Sequence, residues 1–252
     1  MTSTTSENKG LAHERAWQKF FKRDFETALD LFNEILDNHE ADPEALYGRA
    51  CAAFRCDDFE SAHKDLNTLV KINAKDHRFY HVRGLLRGAE EKYKDAVKDL
   101  EKAISLSTDN HEAWLDLGGA FIMLNDYDSA QVAFEKAIDI DKACPEGWYG
   151  KGLIALLKKE HKKAIEFLSA AIKLDPRHLN AILARAEVYL DANQKEEGMK
   201  DILKAVSIKS DIFIPKGTDG DDDEDHDKEE FDRDEDDNID EDAEIEELRL
   251  DD

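Results

Sequence analysis

Asp236, Asn238, Asp240, Asp242 and Glu247 stand at positions 1, 3, 5, 7 and 12 of a twelve-residue stretch, the spacing at which oxygen ligands wrap a calcium ion. The chemistry fails at the turn. Position 6 is Glu241 where the bend requires Gly, position 8 is Ala243, and no amphipathic helix pair flanks the stretch. Weak, nonspecific cation binding is all the spacing supports, and no metal site is assigned. Cys51, Cys56 and Cys144 form an odd set without zinc or redox spacing and read as reduced thiols beside helix packing. The nine histidines have no recurring Cys or Asp partner, and His63, His111 and His161 read as solvated helix or turn residues. There is no phosphate-cradling Gly loop, HExxH or GxSxG. These residue types therefore point away from an enzyme and from any cofactor.

The charge narrows the partners. The chain has 252 residues with 60 acids and 35 bases, a net charge of -25. Residues 219–252 alone hold 22 acids and 3 bases, leaving 38 acids against 32 bases elsewhere. Such a chain gains nothing from counterion release on nucleic acid and is repelled by an anionic membrane surface. Apolar runs such as 152–157 and 120–124 fall far short of the roughly 20 residues of a spanning helix. Residues 1–10 are polar and lack the pattern of a secretory signal. The expectation is a cytoplasmic protein, with the nucleus also open, and no nucleic-acid or membrane partner.

What positions the side chains is a repeat. A small residue recurs at a step of 34: Ala28, Ala62, Ala96, Ala130, Ala164 and Gly198. Four places on come Phe32, Leu66, Leu100, Phe134, Leu168 and Ile202, and three further on Ile35, Leu69, Ala103, Ala137, Ala171 and Ala205. Spacings of four and three place these groups on one helical face. Upstream lies a second helix with its own small residue in register, at Ala16, Ala50, Gly84, Gly118, Gly152 and Ala186. Polar pairs such as Asp57-Asp58 and Asn125-Asp126 separate the two, with Phe25, Phe59, Tyr93 or Tyr127 directly after. The unit is a helical hairpin, and the chain is all-α.

These residues resemble the tetratricopeptide repeat, most fully in Trp114, Leu117, Gly118, Phe121, Tyr127, Ala130, Phe134 and Ala137. The resemblance covers 9–212 in six units, 9–42, 43–76, 77–110, 111–144, 145–178 and 179–212, with 1–8 and the acidic 213–252 expected to be disordered. It implies an α-solenoid wound as a right-handed superhelix whose first helices line a concave groove. Pro43 and Pro145 stand at the first position of a helix, where proline is tolerated. Arg49, Arg83 and Arg185 recur at one position, where arginine in this family braces neighbouring helices; a ladder that binds a partner is the alternative.

In that family positions 2, 5, 9, 12 and 13 of each unit face the groove. Carried over, they give a lining of His13, Trp17, Phe20, Phe21, Tyr47, Cys51, Phe54, Arg55, Arg78, His81, Leu85, Leu115, Met123, Tyr149, Leu153 and Leu157. Two readings stand for it: a docking surface for an apolar helix or extended segment, in which aromatics act as anchors, or packing between adjacent first helices. The carboxylate clamp with which some members hold heat-shock chaperone tails is not expected. Position 6 reads Glu14, Gly48, Val82, Asp116, Gly150 and Ala184, without the required Asn, and an unpaired buried carboxylate is costly.

The expected function is a non-catalytic interaction scaffold or adaptor for a protein partner; the alternative is a dedicated chaperone whose acidic tail meets a basic client such as a histone or ribosomal protein. Ile245, Leu248 and Leu250 punctuate the acid and are candidates for docking into a groove. Met199, Ile202, Leu203 and Val206 leave an apolar flank on the last helix, which Ile212, Phe213 and Ile214 are expected to fold back and cover.

Overall fold

The computed structural model describes residues 3–213, with side chains described from residue 10 to residue 210. Among these the chain forms twelve helices and no strand: α1 Ser3–Phe21, α2 Phe25–Asn38, α3 Pro43–Arg55, α4 Phe59–Ile72, α5 His77–Ala89, α6 Tyr93–Leu106, α7 His111–Met123, α8 Tyr127–Ile140, α9 Pro145–Leu157, α10 His161–Leu174, α11 Leu179–Asp191 and α12 Lys195–Phe213. The metal-like spacing at 236–247 and the tail residues Ile245, Leu248 and Leu250 lie outside the described residues.

Each hairpin turns through one residue held in the left-handed region. Arg23, Asp57, Glu91, Asn125, Lys159 and Asn193 all have φ between 58° and 63°. The turn closes the end of the first helix: Asp24 N–H donates to the Lys19 carbonyl at 3.0 Å, and Arg23 N–H to that of Phe20 at 2.9 Å. Carbonyls that the helix leaves unpaired are thereby satisfied. The second helix then starts on a side-chain cap in two hairpins, where Asp58 accepts from Ser61 N–H and Asp126 from Ser129 N–H.

The apolar face of each second helix fills the interior. Ala28, Phe32, Leu66, Leu100, Ala130 and Leu168 are buried, as are Ala16, Ala50 and Ala186 on the first helices facing them. Two phenylalanines reach beyond their own hairpin. A Cβ on Gly150 would stand 2.5 Å from the Phe134 ring, and one on Gly48 would collide with Phe32. Each ring sits where the next first helix has no side chain. This explains glycine at position 6 of those two units and adds a steric reason why no amide occupies it there.

Successive helices pack in chain order. Each first helix also meets the first helix of the next hairpin, α1 with α3 and so on to α9 with α11, whereas no two second helices approach in this way. A stack held close on one side and splayed on the other is curved, with the first helices on its inner face.

At both ends the described helices run past the expected units. The N-terminal stretch 1–8 was expected without structure, yet α1 begins at Ser3; no Gly or Pro interrupts the chain between Thr4 and Lys9, so nothing stops the helix from running back. At the other end α12 continues unbroken through Ile212 and Phe213. Through Phe213 the backbone does not reverse over its own flank, Ile214 lies outside the described residues, and Met199, Leu203 and Val206 stand more than half exposed.

Candidate functional site

Of the sixteen groove candidates none is fully buried. Phe21, Arg55, Arg78, Met123 and Leu157 are exposed; His13, Trp17, Phe20, Tyr47, Cys51, Phe54, His81, Leu85, Leu115, Tyr149 and Leu153 are partly exposed. Phe21 at 76 %, Met123 at 55 % and Leu157 at 50 % share position 13 of their units, in the last turn of the first helix.

The structure brings the N-terminal candidates together. Trp17 stands edge-on to Phe20 at 5.4 Å, stacks on Phe21 at 5.8 Å and reaches Tyr47 at 6.0 Å. Tyr47 continues the line to Phe79 at 5.8 Å, and the Arg78 guanidinium lies 5.0 Å over the Tyr47 ring. Arg55 covers Phe25 in the same way. The Trp17 indole N–H donates to Glu44 at 3.1 Å, and Arg78 is tied to Asp76 at 2.8 Å; the hydrogen bond from Arg78 holds the Asp76 carboxyl below its ordinary value. Some of this surface is spent on packing: Trp17 also meets the buried Phe32 at 5.3 Å, and Phe54 leans on Phe59 at 6.2 Å.

Further along the stack the candidates sit apart. His81 binds Asp116 at 2.6 Å, and His13 Nε2 lies 3.2 Å from Asp42. Leu115 packs beside Phe134 and Ile154, while Tyr149 and Leu153 pack against the α9 to α12 core, Tyr149 facing the His178 ring at 5.1 Å.

Burial makes the polar groups here poor reagents. It pushes the Cys51 thiol up to about 12, raises the Tyr47 and Tyr149 phenols, and raises Cys56 and Cys144. All three cysteines are free. A thiol held protonated is neither nucleophile nor metal ligand, and among the described residues no three His, Cys, Asp or Glu side chains cluster as a metal site.

A second feature lies on the opposite side of the first helices. The recurring arginines each span two hairpins. Arg49 pairs with Asp65 through two bonds at 2.7 and 2.8 Å and donates to Asn33 at 3.0 Å. Arg83 does the same with Asp99 and Asn67, and Arg185 with Asp201 and Ser169. In α9 the brace is recast: Lys151 lies 4.8 Å over the Phe167 ring and binds Glu135 at 3.1 Å.

In α7 the brace is gone. Leu117 and Ala133 replace Arg and Asp, and beside them opens a cavity of about 570 Å³ lined by residues of α6, α7 and α8, among them Glu101, Ile104, Trp114, Leu117, Phe121 and Val132. Reading single units does not reveal it, because Leu and Ala both suit the repeat. The signal is the missing member of an arginine series with a period of 34.

Tetratricopeptide repeat profiles match residues 13–77, 89–154 and 145–178. The chain is similar to outer dynein arm-docking complex subunit 4 of Xenopus laevis, 34% identical over 56 residues, which are 22% of this chain and 10% of that protein. The chain thus spans about a tenth of the curated relative's length. Among solved structures it resembles the Cut9 and Hcn1 hetero-tetramer of the APC/C, with a TM-score of 0.71, 16% identity and coverage of 80% of this chain and 40% of that one. It also resembles YrrB, described as a TPR protein with an unusual peptide-binding site, with a TM-score of 0.54, 19% identity and coverage of 71% and 93%. The period of 34, the helical hairpins and the matching profiles agree: the chain belongs to the tetratricopeptide repeat family.

Proposed function

We propose that the protein is a non-catalytic interaction scaffold that receives an apolar helix or extended segment of a protein partner along its inner face. The observation that carries this reading is the aromatic line from Phe21 through Trp17 to Tyr47, with Arg78 stacked on its far end. Aromatic groups with a guanidinium at their edge supply large contact area at small conformational cost. The unusual peptide-binding site of YrrB and the hetero-tetramer of Cut9 with Hcn1 agree with it by analogy of fold. The thiols are held protonated, and no helix of the described residues is long and apolar enough to cross a membrane.

The test uses Phe21, Met123 and Leu157, which are exposed enough to change without unfolding the stack. A photo-crosslinking residue at each should capture a common partner, and one at the exposed Lys136 should not. Phe21→Ala should weaken capture while far-ultraviolet circular dichroism stays unchanged. Equal capture from Lys136 would defeat the groove reading.

The composition of 219–252 supports a second reading, a chaperone for a basic client. Deleting that stretch separates the two. A scaffold keeps its partner with weak salt dependence, whereas a chaperone loses its client and its wild-type complex dissolves with salt.

A further inference from the structure

The cavity between α6 and α8 lies where an interaction made by a cation of α3, α5, α9 and α11 is missing. At the equivalent place in its neighbours a cation on the first helix ties two second helices together: Arg83 bridges Asn67 and Asp99, and Lys151 bridges Glu135 and the Phe167 ring. Leu117 is shorter than arginine and uncharged, and Ala133 offers no carboxylate. At the braced position of α9 a smaller pocket of about 260 Å³ remains beside Lys151 and Phe167; here, without cation or carboxylate, the opening reaches about 570 Å³, within the ~300–1,000 Å³ of ligand sites.

Two properties of the walls select the occupant. The floor is apolar, made of Ile104, Trp114, Leu117 and Phe121, and Val132, more than half exposed, stands at the mouth. The wall carries Glu101, the repeat counterpart of Glu135. Lys151 Nζ reaches Glu135 at 3.1 Å, whereas Leu117, in the lysine's place, offers Glu101 no cation. The other charged wall residue, Asp128, is already paired with Lys158 at 3.0 Å. The site therefore lacks a bulky apolar group and one positive charge, adjacent to each other.

We propose that this cavity is a second docking site, on the side of α7 away from the groove, for a segment of a partner protein that inserts a bulky apolar side chain and pairs a neighbouring Lys or Arg with Glu101. The α6 and α8 backbones stay apart, as in every pair of second helices, and here no cation bridges the trough between them. The guest supplies in trans the cation that the other hairpins supply in cis. This site rests on no part of the groove reading.

The probes are short blocked peptides with a Leu-Phe-Arg core, and counterparts with Leu-Phe-Glu and Leu-Ala-Arg cores, titrated into the isotope-labelled full chain and followed by amide chemical shifts. The Leu-Phe-Arg peptide should move amides of α6, α7 and α8, and both counterparts should bind at least tenfold more weakly. Glu101→Gln should cost the first peptide about tenfold, or about 1.4 kcal/mol, and erase its advantage over the Leu-Phe-Glu peptide. The double change Leu117→Arg with Ala133→Asp restores the brace, should preserve the melting temperature and should abolish binding. Should that variant misfold, Val132→Trp closes the exposed mouth without touching the core and should give the same loss. The proposal is overturned if no peptide shifts these amides at millimolar concentration. Equal binding of the Glu peptide, binding that survives the closed cavity, or shifts confined to the Tyr47 and Tyr149 side would overturn it equally.

Discussion

Gly48 and Gly119 both stand inside first helices, at positions 6 and 9 of their units, but in different surroundings. A Cβ on Gly48 would run into the Phe32 ring, while one on Gly119 meets nothing within 4 Å. Because the ring is fully buried it has no free volume to retreat into. Gly48→Ala should therefore destabilise the fold by about 1–3 kcal/mol, and Gly119→Ala should stabilise it by up to about 1 kcal/mol through helix propensity. Urea unfolding of the two variants measures both; a stabilising Gly48→Ala would mean that Phe32 moves freely. The pairing of Phe with a Gly in the next hairpin recurs at Phe134 and Gly150. It is present in the sequence as two matched departures from the repeat, and it is hard to read there because each residue alone looks like ordinary variation.

At the scale of the helix and its turn, the braces set the strength of each joint. Asp201 is 5 % exposed and held by Arg185 alone, whereas Asp99 has both Arg83 and Arg87, the latter at 2.8 Å. Breaking a buried pair leaves the remaining charge uncompensated. Arg185→Ala should accordingly cost about 3 kcal/mol and Arg83→Ala distinctly less, as calorimetric melting will register. The turns offer the opposite change. Lys159 and Glu91 hold a left-handed conformation that costs a side-chain-bearing residue about 1–2 kcal/mol, while Asn125 and Asn193 tolerate it better. Lys159→Gly should raise the melting temperature and Asn125→Gly should leave it nearly unchanged; no gain at Lys159 would mean that its side chain offsets the strain. The hairpins were legible in the sequence because a period of 34 leaves little choice of helix face, and the bracing role of Arg49, Arg83 and Arg185 was implied by the family resemblance. The cavity was not, since its cause is an absence at Leu117 and Ala133. The extension of α1 to Ser3 was not legible either, since polar residues that permit a helix do not announce one.

Across the whole stack, many small electrostatic contributions add up to a bounded range of pH stability. Asp58 and Asp126 are held below their ordinary values, first by their hydrogen bonds with Ser61 and Ser129, and Asp76 by that with Arg78. A carboxylate whose folded pKa is depressed contributes stability that is present above its unfolded value and lost as pH falls through the folded one. The acid limb should begin as pH drops below the ordinary 3.8 of aspartate. At the other end Cys51, pushed by burial from 9.0 to about 12, and Tyr47, raised from 10.0, favour their neutral forms. A group whose folded pKa is raised contributes stability below its unfolded value and loses it as pH rises toward the folded one. Stability should therefore be level between about pH 4 and pH 9, fall on both sides, and fall more gently on the alkaline side in Cys51→Ala than in the wild type. Chemical unfolding across that range tests the assignment, and an alkaline limb identical in the variant would mean that burial does not hold the Cys51 thiol of α3 protonated.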